Sequence, residues 1–444
     1  MGEVRVGATG GSPVRGYLMK LLIKNGRLID PAEKKDGIFD ILCSEGKVEK
    51  VAKGLAATGA EQVVNARGWI VSPGFIDLHT HLREPGFEYK EDIKSGTEAA
   101  AAGGFTTVLC MANTQPVNDN AVITEFIVRK AKEVGLVRVS PVGAISKGLE
   151  GKALAEIGQM AEAGIVAVSD DGRCVMDSYL MRKAMQYARG FGLLVISHAE
   201  DENLCGAGSI NEGLVATELG LPGSPNAAEE IIVARDIALA ELTKARLHIA
   251  HLSTRVSLDL VRAAKKRGVA VTCEVTPHHL MLTDEAVRGY RTEASMRPPL
   301  RSKADVAALR KGLKEGVIDA IATDHAPHAS FEKEVEFVKA AHGLVGLETA
   351  LPLALKLVED KVIPLRDVIK LLSSQPSKIA GFKGRGTLQA GSEADITVFD
   401  PSEKIKVDAS RFKSRSRNTP FDGWALKGRV KCTIVGGKVV HDER

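Results

Sequence analysis

Aromatic residues are scarce, at 4% of a 444-residue chain with 2 tryptophans, and no apolar run approaches the roughly 20 residues that a membrane helix requires. Met1 to Lys20 lacks the continuous apolar core of a signal peptide, so a protein that is neither membrane-spanning nor exported is expected. An excess of one charge is lacking too. Sixty Lys plus Arg stand against 56 Asp plus Glu, and the net +4 is far from the concentrated basic footprint of a nucleic-acid binder. Cys43, Cys110, Cys174, Cys205, Cys273 and Cys432 are scattered without a CxxC spacing. They point to neither a zinc ribbon nor a disulfide framework, and a reducing cytoplasm fits them best. Short repeats and low-complexity tracts are also missing.

What is there is an ordinary globular composition, 44% hydrophobic and 26% charged. Single hydrophobic cores stop growing at roughly 250 to 300 residues, so this length predicts a large domain accompanied by a smaller one. Residues 1–18 are glycine-rich and aperiodic and read as a disordered tail, or as a start codon assigned too early. From Met19 the pattern changes. LLIKNGRLID, FDILCSEGKVEKVA and EQVVNARGWIV show the apolar alternation of half-buried strands between Gly and Asn turns. GTLQAGSEADITVFD, EKIKV and KGRVKCTIVGGKVV repeat that texture near the C-terminus. Both ends, 19–72 and 382–444, are therefore expected to build one small β-sandwich domain.

Residues 73–381 instead alternate apolar strand runs with amphipathic stretches, the pattern of a parallel sheet with helical crossovers. Eight strand candidates begin at Phe75, Phe105, Val137, Ile165, Leu193, Arg246, Val269 (VAVTCEVTPHHL) and Asp319 (DAIATDHAPH). Helix candidates such as DIKSGTEAAAAGG, ALAEIGQMAEAG, SLDLVRAAKKRG and KADVAALRKGLKEG lie between them, most ending in a glycine suited to a left-handed C-cap. Eight βα units over this length predict an α/β fold, a (β/α)8 TIM barrel.

Catalytic groups of such a barrel gather where its strands end. Here those ends carry Asp77, His79 and His81, then Asp170 and Asp171, His198, His251, and finally Asp324, His325 and His328. His79 and His81 are two apart, so in an extended strand both rings face the barrel interior, where imidazole nitrogens bind divalent metal. An isolated HxH is a weak signal, equally readable as two hydrogen-bonded core histidines. Adding His198, His251, Asp171 and Asp324 makes that reading expensive, because unpaired buried polar groups cost several kcal/mol each. Six ligands exceed one tetrahedral zinc site. They divide into His79 with His81 and His198 with His251, with Asp171 as the bridging carboxylate and Asp324 as ligand and proton shuttle. Such a centre suits hydrolysis of an unactivated amide. Asp170 reads as a brace for Asp171, His248 lies out of phase with His251, and His278 and His279 read as supporting or structural residues.

The runs GFIDLHTHLREPG from Gly74, MANTQPVND from Met111, VSDDG from Val168, SHAED from Ser197, HIAHLST from His248, TPHHL from Thr276 and ATDHAPH from Ala322 carry a family resemblance. In order and without large gaps, the chain resembles the bacterial class I dihydroorotases of the amidohydrolase superfamily, metal-dependent hydrolases on a TIM barrel. That resemblance implies zinc-dependent, reversible closure of N-carbamoyl-L-aspartate to L-dihydroorotate in pyrimidine synthesis, and charge balance makes closure consume a proton. It implies that His79, His81 and Asp324 hold one zinc, that His198 and His251 hold another, and that Asp171 bridges them, with one or two ions per subunit left open. Asp324 is the implied catalytic acid/base. His81, Arg83, Asn113, Arg297, His328, His342 and Gly343 are the implied substrate contacts, since a substrate with carboxylates calls for a guanidinium fork and amide donors.

Two positions depart from the family pattern. Arg297 stands where an Asn normally precedes PPLR, and His342 where Phe normally precedes Gly343. Arg297 is expected to substitute for that Asn as a donor. Ala329 to Ala341 reads either as a loop closing over substrate or as a charged βα connection. Competing readings are a hydantoinase or allantoinase, disfavoured because VSDDG offers no bridging lysine, and a non-catalytic partner of aspartate transcarbamoylase, disfavoured because all six ligands are present. A homodimer is the expected assembly, and a complex with that transcarbamoylase is compatible with an active enzyme as well.

Overall fold

The computed structural model describes residues 20–444. Met19 and the glycine-rich stretch before it lie outside the described residues. Strands β1 (Leu21–Asp30), β2 (Lys35–Ser44), β3 (Lys47–Ala52), β4 (Gln62–Asn65) and β5 (Ile70–Pro73) open the chain. The barrel follows with β6 (Phe75–Thr80), β7 (Phe105–Cys110), β8 (Arg138–Gly143), β9 (Ala167–Val168) and β10 (Leu194–Ser197). After a separate two-stranded ladder of β11 (Ile210–Asn211) and β12 (Gly223–Ser224), it continues with β13 (Arg246–Ile249), β14 (Val271–Val275) and β15 (Ala320–Ile321). Finally β16 (Ile396–Lys406), β17 (Ala425–Val435) and β18 (Lys438–Asp442) return to the first sheet.

That first sheet runs β18-β17-β16-β5-β1-β2-β3, with β4 beside β1, so the two chain ends meet where β16 pairs antiparallel with β5. It encloses its own core of Leu21, Ile23, Ile41, Val64, Ile396 and Ile434 as a sandwich. GTLQAG, expected as strand, is irregular instead: Thr387 Oγ1 and Leu388 N both turn to the buried carboxylate of Asp30.

Parallel strands β6 to β10 and β13 to β15 form the barrel, and β6 and β7 are buried at every residue because helices cover one face and the packed interior the other. Ile76, Leu109, Val142, Leu194, Ile196 and Ala320 plug that interior. β15 meets β6 through side chains and loops. Thr323 donates to Asp77 through N at 3.0 Å and Oγ1 at 2.5 Å, and His81 N reaches His325 O at 2.9 Å. This closure explains a buried aspartate on the first strand. The two domains share a seam in which Phe75 packs on Phe105 and Phe399, with centroids 5.9 and 6.0 Å apart.

The strands are shorter than their apolar runs. Only Ala320 and Ile321 of the last run are strand, and TPHHL, expected to extend the seventh strand, is a short helix, Pro277–Met281. Thr276 caps it, its hydroxyl accepting from His279 N, and proline fits the first helical position because its missing N–H would go unused there.

Candidate active site

The ligand candidates stand one to three residues beyond the strands: His81 after β6, Asp171 after β9, His198 after β10, His251 after β13 and Asp324 after β15; His79 is the exception, within β6. His251 and Asp324 take left-handed backbone angles, φ 31° and 48°, which non-glycine residues hold only where the surrounding fold fixes them.

Asp171 is the hub. Its Oδ1 lies 3.2 Å from His79 Nε2, 3.2 Å from His198 Nδ1 and 3.5 Å from His251 Nε2, and its Oδ2 lies 3.4 Å from His81 Nε2. Asp324 Oδ1 lies 3.1 Å from His81 Nε2 and 3.5 Å from His79 Nε2. All six side chains are buried. Two triads, His79–His81–Asp171 and Asp171–His198–His251, each bring one donor atom per residue within 4.8 Å of one another, and Asp171 belongs to both.

This set fits divalent cations. His198 Nδ1 faces His251 Nε2 at 2.9 Å, and His79 Nε2 has no hydrogen-bond partner, so lone pairs converge where a positive charge is needed. Without a cation, protons carry that charge. Burial works against an imidazolium at His79, but Asp171 and Asp324 outweigh it and hold the ring well above its ordinary pKa. Burial also works against charge on Asp171, yet His79 and the bonds from His198 and His251 pull its carboxyl well below the usual range.

The rings are aimed from behind. Glu274 Oε1 accepts from His79 Nδ1 at 3.0 Å, and its Oε2 accepts from His248 Nε2 at 3.0 Å. Asn113 Oδ1 accepts from His81 Nδ1 at 2.8 Å, which leaves the Nε2 lone pair of His81 facing inward. Sequence reading missed Glu274, whose signal was a carboxylate within the otherwise apolar VTCEV strand. His248 serves that carboxylate. Asp170 turns away from Asp171 and accepts from Ile145 N at 2.7 Å and Ser146 N at 2.9 Å, so it fixes the loop after β8 and is no brace for its neighbour. His279 spans Thr276 Oγ1 and Pro298 O, and His278 lies against it with ring centroids 4.5 Å apart.

Beside the carboxylate–imidazole cluster stands a polar wall. Arg83 is buried, with φ 61°; its Nε donates to Pro327 O at 3.2 Å and its Nη2 lies 3.4 Å from His328 Nε2. Burial lowers its pKa to about 10, still cationic at neutral pH. Gly86 makes that turn possible: at φ 100°, a Cβ would sit 2.0 Å from Gln115 O, so only glycine lets the loop after β6 lie against the loop after β7. His328 Nε2 donates to His342 O at 2.8 Å, Gly343 N to Ser295 O at 2.9 Å, and His342 Nδ1 meets Ser295 Oγ at 2.9 Å. Arg297 reaches Glu200 Oε2 at 3.1 Å and Gly208 O at 3.3 Å, and Glu200 Oε2 lies 3.7 Å from His198 Nε2. The expected donor is thus tied to a carboxylate beside the cluster.

The loop from Ala329 to Ala341 packs on this wall. Phe331 stacks on Tyr89 at 5.9 Å, Glu332 pairs with Lys90 at 2.7 Å, and buried Lys333 donates to the carbonyls of Thr292, Ser295 and Ala341. Burial pushes the Lys333 ammonium down from 10.5 to about 8. The unfolded chain keeps this proton to higher pH, so the buried charge opposes folding below about pH 8, and that penalty is relieved as pH rises toward 10.5, by up to about 3 kcal/mol. Wild type is therefore expected to gain stability relative to Lys333→Met across that window, read from urea midpoints; parallel profiles would assign the titration elsewhere.

A model of the amidohydrolase family matches residues 70–440. The chain's architecture is shared by the L-hydantoinase of Arthrobacter aurescens, with a TM-score of 0.86 at 27% identity over 96% of both chains. A dihydropyrimidinase from Brevibacillus agri gives 0.83 at 25% identity, over 96% of this chain and 95% of that one. Fold and site thus define a metal-dependent hydrolase of amide bonds. Sequence is more specific. The dihydroorotase of Geobacter metallireducens is 56% identical over 95% of this chain and 100% of its own length, and that of Geobacter sulfurreducens is 57% identical over 95% and 99%. The chain belongs to the amidohydrolase family and, within it, to the dihydroorotases.

Proposed function

We infer that this protein is a dihydroorotase, a hydrolase of a cyclic amide that interconverts N-carbamoyl-L-aspartate and L-dihydroorotate plus water. What carries the reading is the contrast in identity: 56% to a dihydroorotase along its whole length, against 27% to a hydantoinase of the same fold. The sixfold donor set fits zinc, and we assign two ions per subunit, one to His79, His81 and Asp324 and one to His198 and His251, with Asp171 shared. When bound, zinc polarises the amide carbonyl and acidifies water.

The chain's own groups do the rest. Asp324 takes the proton of the attacking water and passes it to the ring nitrogen as the C–N bond opens, and in synthesis it works in reverse. Arg83, Asn113 and His328 bind the substrate's carboxylate and ring amide, with His81, His342 and Gly343 beside them. Arg297 joins them through the N–H groups its bonds to Glu200 and Gly208 leave over. The buried wall excludes bulk water and so strengthens each of these contacts. We place the enzyme in the cytoplasm as a homodimer, the commonest closed assembly, with aspartate transcarbamoylase as the candidate partner. Among the described residues no helix is long and apolar enough to cross a membrane.

The test is turnover in both directions on purified protein, with zinc counted in the same sample and dihydrouracil, hydantoin and allantoin as controls. Turnover of dihydroorotate alone, lost on chelation and restored by zinc, is the expected result. Preferential turnover of hydantoin or dihydrouracil would sink the reading. Solution mass, with and without the transcarbamoylase, tests the assembly.

A further inference from the structure

The C-terminal segment Ser414–Asn418 leaves the small domain and runs along the barrel mouth. Buried Glu91 anchors it: Arg415 N donates to Glu91 Oε1 at 3.0 Å and Ser414 Oγ donates to Oε2, while His325 Nε2 lies 3.3 Å from the same carboxylate. Ser416 Oγ adds a bond to Lys90 O at 2.7 Å. The segment ends on the substrate wall. Asn418, 6% exposed, accepts from His328 N at 3.1 Å and donates through Nδ2 to Ala326 O at 3.1 Å and Gly343 O at 3.0 Å. Its own carbonyl accepts from Val345 N at 2.8 Å.

One amide thus joins the two strands of chain that flank the Ala329–Ala341 loop, at His328 on one side and Gly343 on the other. Gly343 holds φ 125°, a conformation that needs fixing from outside. A cavity of about 440 Å³ lined by Tyr89, His328, Lys333, Arg415 and Asn418 opens beside it.

We propose that Asn418 is a positioning residue for substrate binding: it sets the spacing of His328 and Gly343. For the substrate's identity the proposal rests on the dihydroorotase reading. Removing the amide leaves buried carbonyl groups and an N–H without partners, and the wall relaxes to satisfy them. Displacements of about 1 Å in a binding constellation are felt strongly.

The test compares zinc-loaded full-length wild type with Asn418→Ala, with Asn418→Asp, and with Ser416→Ala as a control on the same segment. Asn418→Asp keeps the size and the acceptor for His328 N but sets a carboxylate against two carbonyls. Both Asn418 variants are expected to raise KM for dihydroorotate about tenfold or more with kcat within about threefold and zinc content unchanged, while Ser416→Ala behaves as wild type. Hydrogen exchange should quicken in peptides covering residues 326–345 and nowhere along the barrel strands. Unchanged KM in both Asn418 variants overturns the proposal. So does a fall in kcat with zinc loss and faster exchange throughout the barrel, which marks a merely structural residue. Should wild type not turn over dihydroorotate, the activity reading fails by itself. The exchange arm then decides: quickening confined to 326–345 supports the positioning role, and no change there overturns it.

Discussion

Asp324→Asn is expected to retain zinc and to lose dihydroorotate turnover by about 10³-fold. The substitution keeps the size of a side chain whose Oδ1 lies 3.1 Å from His81 Nε2, and an amide oxygen still offers a lone pair there. What it removes is the capacity to take up a proton and release it to a ring nitrogen. The backbone supports a clean comparison: φ 48° at this position is one that asparagine tolerates as well as aspartate does, and the neighbouring Thr323–Asp77 bonds are untouched. Steady-state rates in both directions, with metal counted on the same sample, are the check. Full turnover with metal bound would remove Asp324 from the proton's route.

Asp171→Ala should do more damage by another path. This carboxylate lies within 3.5 Å of all four histidines, so its loss takes a ligand from both triads at once. Metal affinity is expected to fall by on the order of 10² or more, and turnover with it. The metal-free protein should weaken too. His79 depends on Asp171 and Asp324 for the charge that keeps it protonated in a fully buried place, and breaking a buried pair by removing one partner costs about 3–5 kcal/mol. Equilibrium dialysis against zinc and a urea titration of the metal-free form measure the two effects separately. Wild-type zinc affinity in the variant would show that Asp171 bridges nothing.

That these six side chains would meet was legible because they lie at the ends of apolar runs, and a barrel sends strand ends to one place. The supporting groups were not. Glu274 takes its role from His79, 195 residues away, and Glu200 from Arg297, 97 residues on. Asn418 falls in a stretch whose texture belongs to the small domain, and only the three-dimensional return of the chain brings it to His328. Element types were easier than extents. The run from Asp319 looks like a full strand, yet the Thr323–Asp77 bonds and one His81–His325 backbone bond, rather than a ladder, close the barrel there, and its strand is two residues long. At TPHHL the Thr-Pro start signal was present and the apolar run before it masked it. The six scattered cysteines are indeed all free and buried.

The seam between β5 and β16 joins residues separated by more than 320 positions, as the Ser72 to Thr397 contact at a separation of 325 shows. A ribosome adding roughly 5–20 residues per second needs on the order of tens of seconds to travel between them. Throughout that interval the nascent sheet ends at β5, whose outward N–H and C=O groups have no neighbour to meet. Such an edge is an invitation to other chains. Synthesis therefore passes through a period of vulnerability that ends only when the last tenth or so of the chain emerges, and the same arrival delivers Asn418 to the barrel mouth. Folding and completion of the polar wall beside the cluster become a single late event.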